Sequence, residues 1–330
     1  MLRFKNGKIC LSLTILLGFL LVGCLPNAST PTPTDPVPKR TKVTATVVDP
    51  QALTEAPTQP PSEETEETHT VTAPVEQPGL PAEPLPQNIT ASDGTALAGR
   101  LYPAASREAP LLVLMHWAPG DQKDWATIAS WLQNRSFQLQ VPHNPPPWLT
   151  PDWFPEMPEG ESFHVLTFTF RGCEGACKTF DREGWLMDVE AVMEHLEMLE
   201  DVTFSQVATV GASIGADGAV YGCYYYNQQG GSCLGALSLS PGGYLNQPYP
   251  QLVDALGSEE PPKPAWCLYS TGDGESANAC EDASGDHYRA VSYPGSAHGM
   301  ALVEPDQDPN PLNLILEFLS QTGLCAACCP

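Results

Sequence analysis

Between about residue 88 and residue 320, short apolar runs alternate with stretches whose apolar residues recur every three or four positions. Asn88–Tyr102 places an Asp93-Gly94 turn between two alternating runs, the pattern of a hairpin. Leu111–Met115 is apolar throughout and predicts a strand buried on both faces. Phe163–Phe170, Val207–Val210, Leu234–Leu239, Ala265–Ser270 and Tyr288–Tyr293 predict further strands. Trp125–Leu132 predicts a helix with Asp124 as its N-cap. Trp185, Leu186, Val189, Val192, Met193, Leu196 and Leu199 form one stripe of a second helix, with Asp181 and Glu183 read as loop charges before it. A helix of small residues follows Gly211, and Leu312–Leu319 predicts a closing helix. Strands that alternate with helices predict an α/β class, a doubly wound and mostly parallel sheet with helices on both faces.

The first 87 residues break this pattern. Arg3, Lys5 and Lys8 precede an apolar run, Ile9–Val22, whose 14 residues are short for a bilayer span. Residues 1–23 therefore read as an export signal. Its end, Leu21-Val22-Gly23-Cys24, resembles the bacterial lipobox. That resemblance implies cleavage before Cys24, lipid attachment (diacylglyceryl, palmitate) at its sulfur, and a protein held to the bacterial cell envelope on its extracytoplasmic side. Residues 25–87 hold 14 Pro and 12 Thr and no Phe, Trp or Tyr. Such a composition buries too little apolar surface to offset ordering entropy, so residues 24–87 are expected to form a disordered tether. The folded domain is expected over residues 88–330.

Charge narrows the partners. Lys+Arg is 15 against 39 Asp+Glu, a net charge of −24, and loss of Arg3, Lys5 and Lys8 with the signal takes it to −27. Such a body repels phosphate backbones, which excludes nucleic acid, and repels anionic lipid in the same way. Eleven Cys suit an exported protein. Apart from Cys10 and Cys24, Cys173 with Cys177, Cys223 with Cys233, and Cys267 with Cys280 are near enough in sequence to pair, though sequence does not fix pairing. Cys325, Cys328 and Cys329 look like half a metal site without its second half, so one bridge and a leftover thiol are expected, with no metal.

One motif carries chemistry. Gly211-Ala212-Ser213-Ile214-Gly215 is G-x-S-x-G between a strand and a helix, the setting of a nucleophile elbow. Leu114-Met115-His116-Trp117, Phe168-Thr169-Phe170-Arg171-Gly172, an acidic turn near Asp273 and Ala297-His298-Gly299 flank it in order. Residues 88–320 thereby resemble the α/β-hydrolase superfamily, near its dienelactone-hydrolase and esterase branches. The resemblance implies a Ser-acid-His order. His287 and His298 are the only histidines after Ser213. Function gathers beyond the carboxyl ends of parallel strands, where His298 lies and His287 does not. The same logic places the acid after Ala265–Ser270, at Asp273, with Glu275 and Asp282 as alternatives. The oxyanion donors implied are the N–H of Ile214 and that of Trp117 or Ala118. Trp117 departs from the family's usual Gly, and Pro119 removes one donor. His116 is expected to be structural.

Three further readings follow from placement. Arg171 either binds a substrate carboxylate or forms a buried ion pair. Pro241–Lys263 sits where the family inserts a lid and is short enough only for a flap. Pro145-Pro146-Pro147-Trp148, Trp153 and Phe154 lie in a segment that either packs on the body or docks a partner. No cofactor motif is present. The expected activity is that of a membrane-tethered serine hydrolase acting on a small-molecule ester through an acyl-enzyme, with a peptidase of the same fold or a non-catalytic binding lipoprotein as alternatives.

Overall fold

The computed structural model describes residues 80–135 and 149–328. The export signal 1–23, Cys24, most of the tether, Pro145-Pro146-Pro147-Trp148 and Cys329 lie outside the described residues.

Among the described residues, eight strands form one sheet: β1 (Leu85–Thr90), β2 (Ala96–Tyr102), β3 (Leu111–Met115), β4 (His164–Phe168), β5 (Val207–Ala212), β6 (Cys233–Leu239), β7 (Ala265–Ser270) and β8 (Tyr288–Tyr293). The spatial order is β1-β2-β4-β3-β5-β6-β7-β8. The β1–β2 and β2–β4 pairs are antiparallel and the others parallel. Among the described residues, six helices cover the faces: α1 (Ala126–Gln133), α2 (Arg182–His195), α3 (Ile214–Gln228), α4 (Tyr249–Gly257), α5 (Gly274–Asp282) and α6 (Pro311–Gln321).

The alternation of each strand sorts its side chains into two cores. Leu111, Val113 and Met115 of β3 join Trp185, Val189 and Val220 from α2 and α3. Leu112 and Leu114 join Ile128 and Leu132 of α1 and Ile315 and Phe318 of α6. Both faces of β3 are thus dry, which is why its sequence shows no polar position. Strand β3 pairs with β4 on one side and β5 on the other, so the chain reverses its direction of travel across the sheet at that point. The crevice beyond the carboxyl ends of β3 and β5 is where such a fold places a ligand.

Some of these expectations change and others hold. The first strand of the hairpin starts before residue 88. Strand β1 begins at Leu85, and the Leu80 and Pro81 carbonyls accept hydrogen bonds from Arg135 at 2.7 Å each. Pro86 hid the strand, since proline is tolerated only at a sheet edge, and β1 is an edge. Asp124 is not a helix cap. A 3-10 turn, Gln122–Trp125, precedes α1, and its cap is Asp121, whose carboxylate accepts from the Lys123 N–H at 2.8 Å. Asp181 is no idle loop charge but the N-cap of α2, accepting from the Gly184 N–H at 3.0 Å. Trp153 and Phe154 pack against the α1/α6 core, and Trp131 donates to the Pro155 carbonyl at 2.8 Å. The pairs Cys173–Cys177, Cys223–Cys233, Cys267–Cys280 and Cys325–Cys328 are disulfides.

Candidate active site

Strand β5 ends in Gly211-Ala212 and passes directly into α3 through Ser213. At that residue φ is 54° and ψ −116°, backbone that non-glycine residues rarely adopt. The strain persists because the turn is held from all sides. The Ser213 N–H donates to the Leu239 carbonyl at 2.8 Å. A Cβ on Gly211 would collide with the Gly215 carbonyl, and one on Gly215 with the Met115 and His116 carbonyls. Glycine at both positions lets α3 begin in contact with the end of β3.

Three side chains from three loops meet here. The Ser213 hydroxyl donates to His298 Nε2 at 2.8 Å, and His298 Nδ1–H donates to Asp273 Oδ2 at 2.6 Å. Asp273 follows β7 and His298 follows β8. Their loops are stitched together by the Thr271 N–H to the Tyr293 carbonyl at 2.9 Å and the Gly272 N–H to the Gly295 carbonyl at 2.7 Å. The imidazole side chain is 31 % exposed and the carboxylate 14 %, so the row opens to solvent at the histidine. Glu275 and Asp282 lie on the exposed side of α5, outside the row. His287 sits at the other end of the sheet, where its Nε2 bonds to the Val253 carbonyl at 2.9 Å.

The loop after β3 faces the elbow. His116 is buried, and burial holds its pKa down to about 4. The neutral ring accepts the Phe170 N–H on Nε2 at 3.0 Å and donates from Nδ1 to the Trp117 carbonyl at 2.7 Å, pinning the loop. The Trp117 indole N–H donates to Asp124 Oδ2 at 2.6 Å, the task Asp124 performs in place of capping. A Cβ on Gly299 would fall 3.0 Å from the Trp117 ring and 3.5 Å from the Ser213 Cβ, which puts the indole beside Ser213. Ile214 is the first residue of α3, so its N–H has no intrahelical acceptor. The Ala118 carbonyl accepts the Cys177 N–H at 2.7 Å, tying the loop to the disulfide-closed segment that follows β4.

Arg171 is committed to ion pairs. Its Nε donates to the buried Asp188 at 2.8 Å and its Nη1 to Asp93 at 2.6 Å. Burial still lifts Asp188 to about 6 despite this partner. Among the described residues, no group of three or more His, Cys, Asp or Glu is arranged to hold a metal ion.

The fold has counterparts among solved structures. The esterase Pf2001 of Pyrococcus furiosus superposes with a TM-score of 0.51 at 14 % identity, over 72 % of this chain and 91 % of that one. The α/β hydrolase GrgF from Penicillium sp. sh18 superposes with a TM-score of 0.50 at 14 % identity, over 73 % of this chain and 99 % of that one. The chain has the α/β-hydrolase fold. No family model matches the sequence, and no curated protein matches it.

Two residues of this candidate site are not evident from sequence. Asp217, one turn into α3, is fully buried. Its carboxylate accepts the Gly242 N–H at 3.3 Å and the Tyr244 N–H at 2.5 Å. It thereby fixes the segment after β6, and the Tyr244 ring meets the His298 imidazole edge-on with centroids 6.1 Å apart. The available signal was a lone acid in the otherwise small, uncharged run that opens α3. The partners of Asp217 are backbone groups some 25 residues on, which no side-chain pattern marks.

Burial raises Asp217 from an ordinary 3.8 to about 7. Between those values the folded state binds its proton more tightly than the unfolded chain does. Stability should therefore fall as pH rises from about 4 to about 7 and level off above that. Asp217→Asn, which cannot ionise, is expected to flatten this dependence. Urea unfolding of both proteins at pH 5 and pH 8 checks it; equal slopes in the two proteins would refute it.

Proposed function

We propose that this protein is an extracytoplasmic, lipid-anchored serine hydrolase of carboxylic esters. The observation that carries the reading is the pair of hydrogen bonds joining Ser213, His298 and Asp273 at 2.8 and 2.6 Å. A serine on an elbow, a histidine within reach of its proton and a carboxylate orienting that histidine are the parts of an acyl-transfer site.

The chemistry runs as follows. Ser213 Oγ attacks the ester carbonyl while His298 Nε2 takes its proton. Asp273 fixes the tautomer through Nδ1–H and stabilises the imidazolium. The N–H groups of Ile214 and of Trp117 or Ala118 receive the oxyanion, held ready by the contact of Gly215 with the end of β3. His298 returns the proton to the alcohol oxygen as the C–O bond breaks, leaving an acyl group on Ser213. Water activated by the same imidazole then releases the acid and restores the hydroxyl. No step calls on a cofactor. The names of structural relatives support ester chemistry over peptide chemistry: one is an esterase. The Leu21-Val22-Gly23-Cys24 motif supports the anchor at Cys24.

A fluorophosphonate probe tests the reading. The wild-type protein is expected to be labelled stoichiometrically and Ser213→Ala not at all. Folded wild-type protein that takes no label would favour a non-catalytic binding lipoprotein. Labelling followed in membrane and soluble fractions, with and without Cys24→Ala, reads the anchor in the same experiment. A panel of esters and peptides then separates esterase from peptidase.

A further inference from the structure

Alongside the row that joins Ser213, His298 and Asp273 runs a second row of groups that the reaction itself does not use. The Tyr244 ring packs edge-on against His298 at 6.1 Å, and the Phe180 ring packs edge-on against Tyr244 at 6.2 Å. Two aromatic rings thus lead outward from the imidazole.

Phe180 is 55 % exposed, and among the described residues the other large apolar side chain this exposed is Met198, on the turn after α2. An exposed apolar residue alone is ordinary. This one is held in place. Its ring packs on the buried Trp185 at 4.9 Å, and the Arg182 guanidinium lies 5.0 Å from its centroid. Arg182 also donates to the Gly243 carbonyl at 3.1 Å, bridging the Phe180 and Tyr244 segments. Tyr244 is fixed in turn by its N–H to Asp217. Both rings are therefore preorganised, so a ligand that covers them need not first order them.

The geometry of acyl transfer decides which part of a substrate would lie there. His298 Nε2 must reach the departing alcohol oxygen to protonate it. The substituent on that oxygen consequently leaves the reaction centre on the imidazole side, where Tyr244 stands. The acyl chain leaves the tetrahedral carbon in another direction. Resting on the serine-hydrolase reading above, we propose that Tyr244 and Phe180 form the alcohol-side subsite and that it accepts a flat apolar group, as in esters of benzyl and other aryl-bearing alcohols. Aromatic rings offer such a group both stacking and edge contacts.

Benzyl acetate and ethyl acetate share one acyl group, and neither alcohol is an activated leaving group, so their kcat/KM ratio reports the subsite. The wild-type enzyme is expected to prefer the benzyl ester by about tenfold. Phe180→Ala and Tyr244→Ala should each reduce that ratio severalfold, while Met198→Ala leaves it unchanged. Saturation-transfer NMR with benzyl alcohol on Ser213→Ala protein gives a readout independent of turnover. Transfer is expected there and should vanish when Phe180→Ala is added; Phe180 lies at the surface, so that variant should fold. Turnover without benzyl preference and without transfer would overturn the subsite alone. Absence of both turnover and fluorophosphonate labelling would instead overturn the catalytic reading.

Discussion

Ser213→Ala is expected to lower kcat on a simple ester by about four to six orders of magnitude, and His298→Ala in the same chain to add almost nothing. The reason lies in how the groups share one task. The hydroxyl donates to Nε2 at 2.8 Å, so nucleophile and base act on a single proton. Remove either and the other has no partner for the step. Asp273→Asn should cost about four orders of magnitude, because the amide presents a donor where Nδ1–H must donate, turning the imidazole to the wrong tautomer. Single and double variants, each assayed with the active-site concentration titrated, check this. Losses that multiplied across the double variant would show the two residues to be working independently. A residual rate above the uncatalysed reaction is also expected, since Ile214 and the Trp117–Ala118 loop remain in place.

How far the sequence could lead depended on where each group's partners lie. Strands β3 and β7 run over the residues their apolar runs mark, because burial on both faces leaves a continuous signal. Ser213, Asp273 and His298 each follow a parallel strand, so the rule about carboxyl ends applied to all three. It also separated His298 from His287. Helices α4 and α5 went unseen. Helix α5, Gly-Glu-Ser-Ala-Asn-Ala-Cys-Glu-Asp, buries only Ser276, Ala277 and Cys280, too few to show a period. Helix α4 starts beside Pro248 and Pro250, which read as a loop until the N-terminal tolerance for proline is considered. Asp124 read as a cap because it stands just before α1, and its actual partner, the Trp117 indole N–H, leaves no mark in the local sequence. Arg171 left two readings open, and the choice between them needed Asp93 and Asp188, which lie 78 positions before it and 17 after it.

On the serine-hydrolase reading proposed above, the row of three side chains is only half of the site, and the other half depends on one missing Cβ. Gly215→Ala is expected to slow fluorophosphonate labelling by about 10²-fold or more while destabilising the fold by about 1–3 kcal/mol. The added methyl group would meet the carbonyl oxygens of Met115 and His116, which are backbone and cannot rotate away. Either α3 retreats from the end of β3 or the Trp117 loop does. Both movements separate the Ile214 N–H from the N–H groups of Trp117 and Ala118, and an oxyanion can then reach one but not the other. Losing a single such donor costs about 10²–10³ in rate. The bond of His298 to Asp273 need not change, because neither residue belongs to α3 or to that loop. Gly274 supplies the control: a Cβ there meets nothing within 4 Å, so Gly274→Ala should leave stability within about 0.5 kcal/mol of the parent. Urea midpoints and labelling rates for the two variants decide the matter. A Gly215→Ala protein that labels at the parental rate would place the oxyanion donors somewhere other than the junction of β3 and α3.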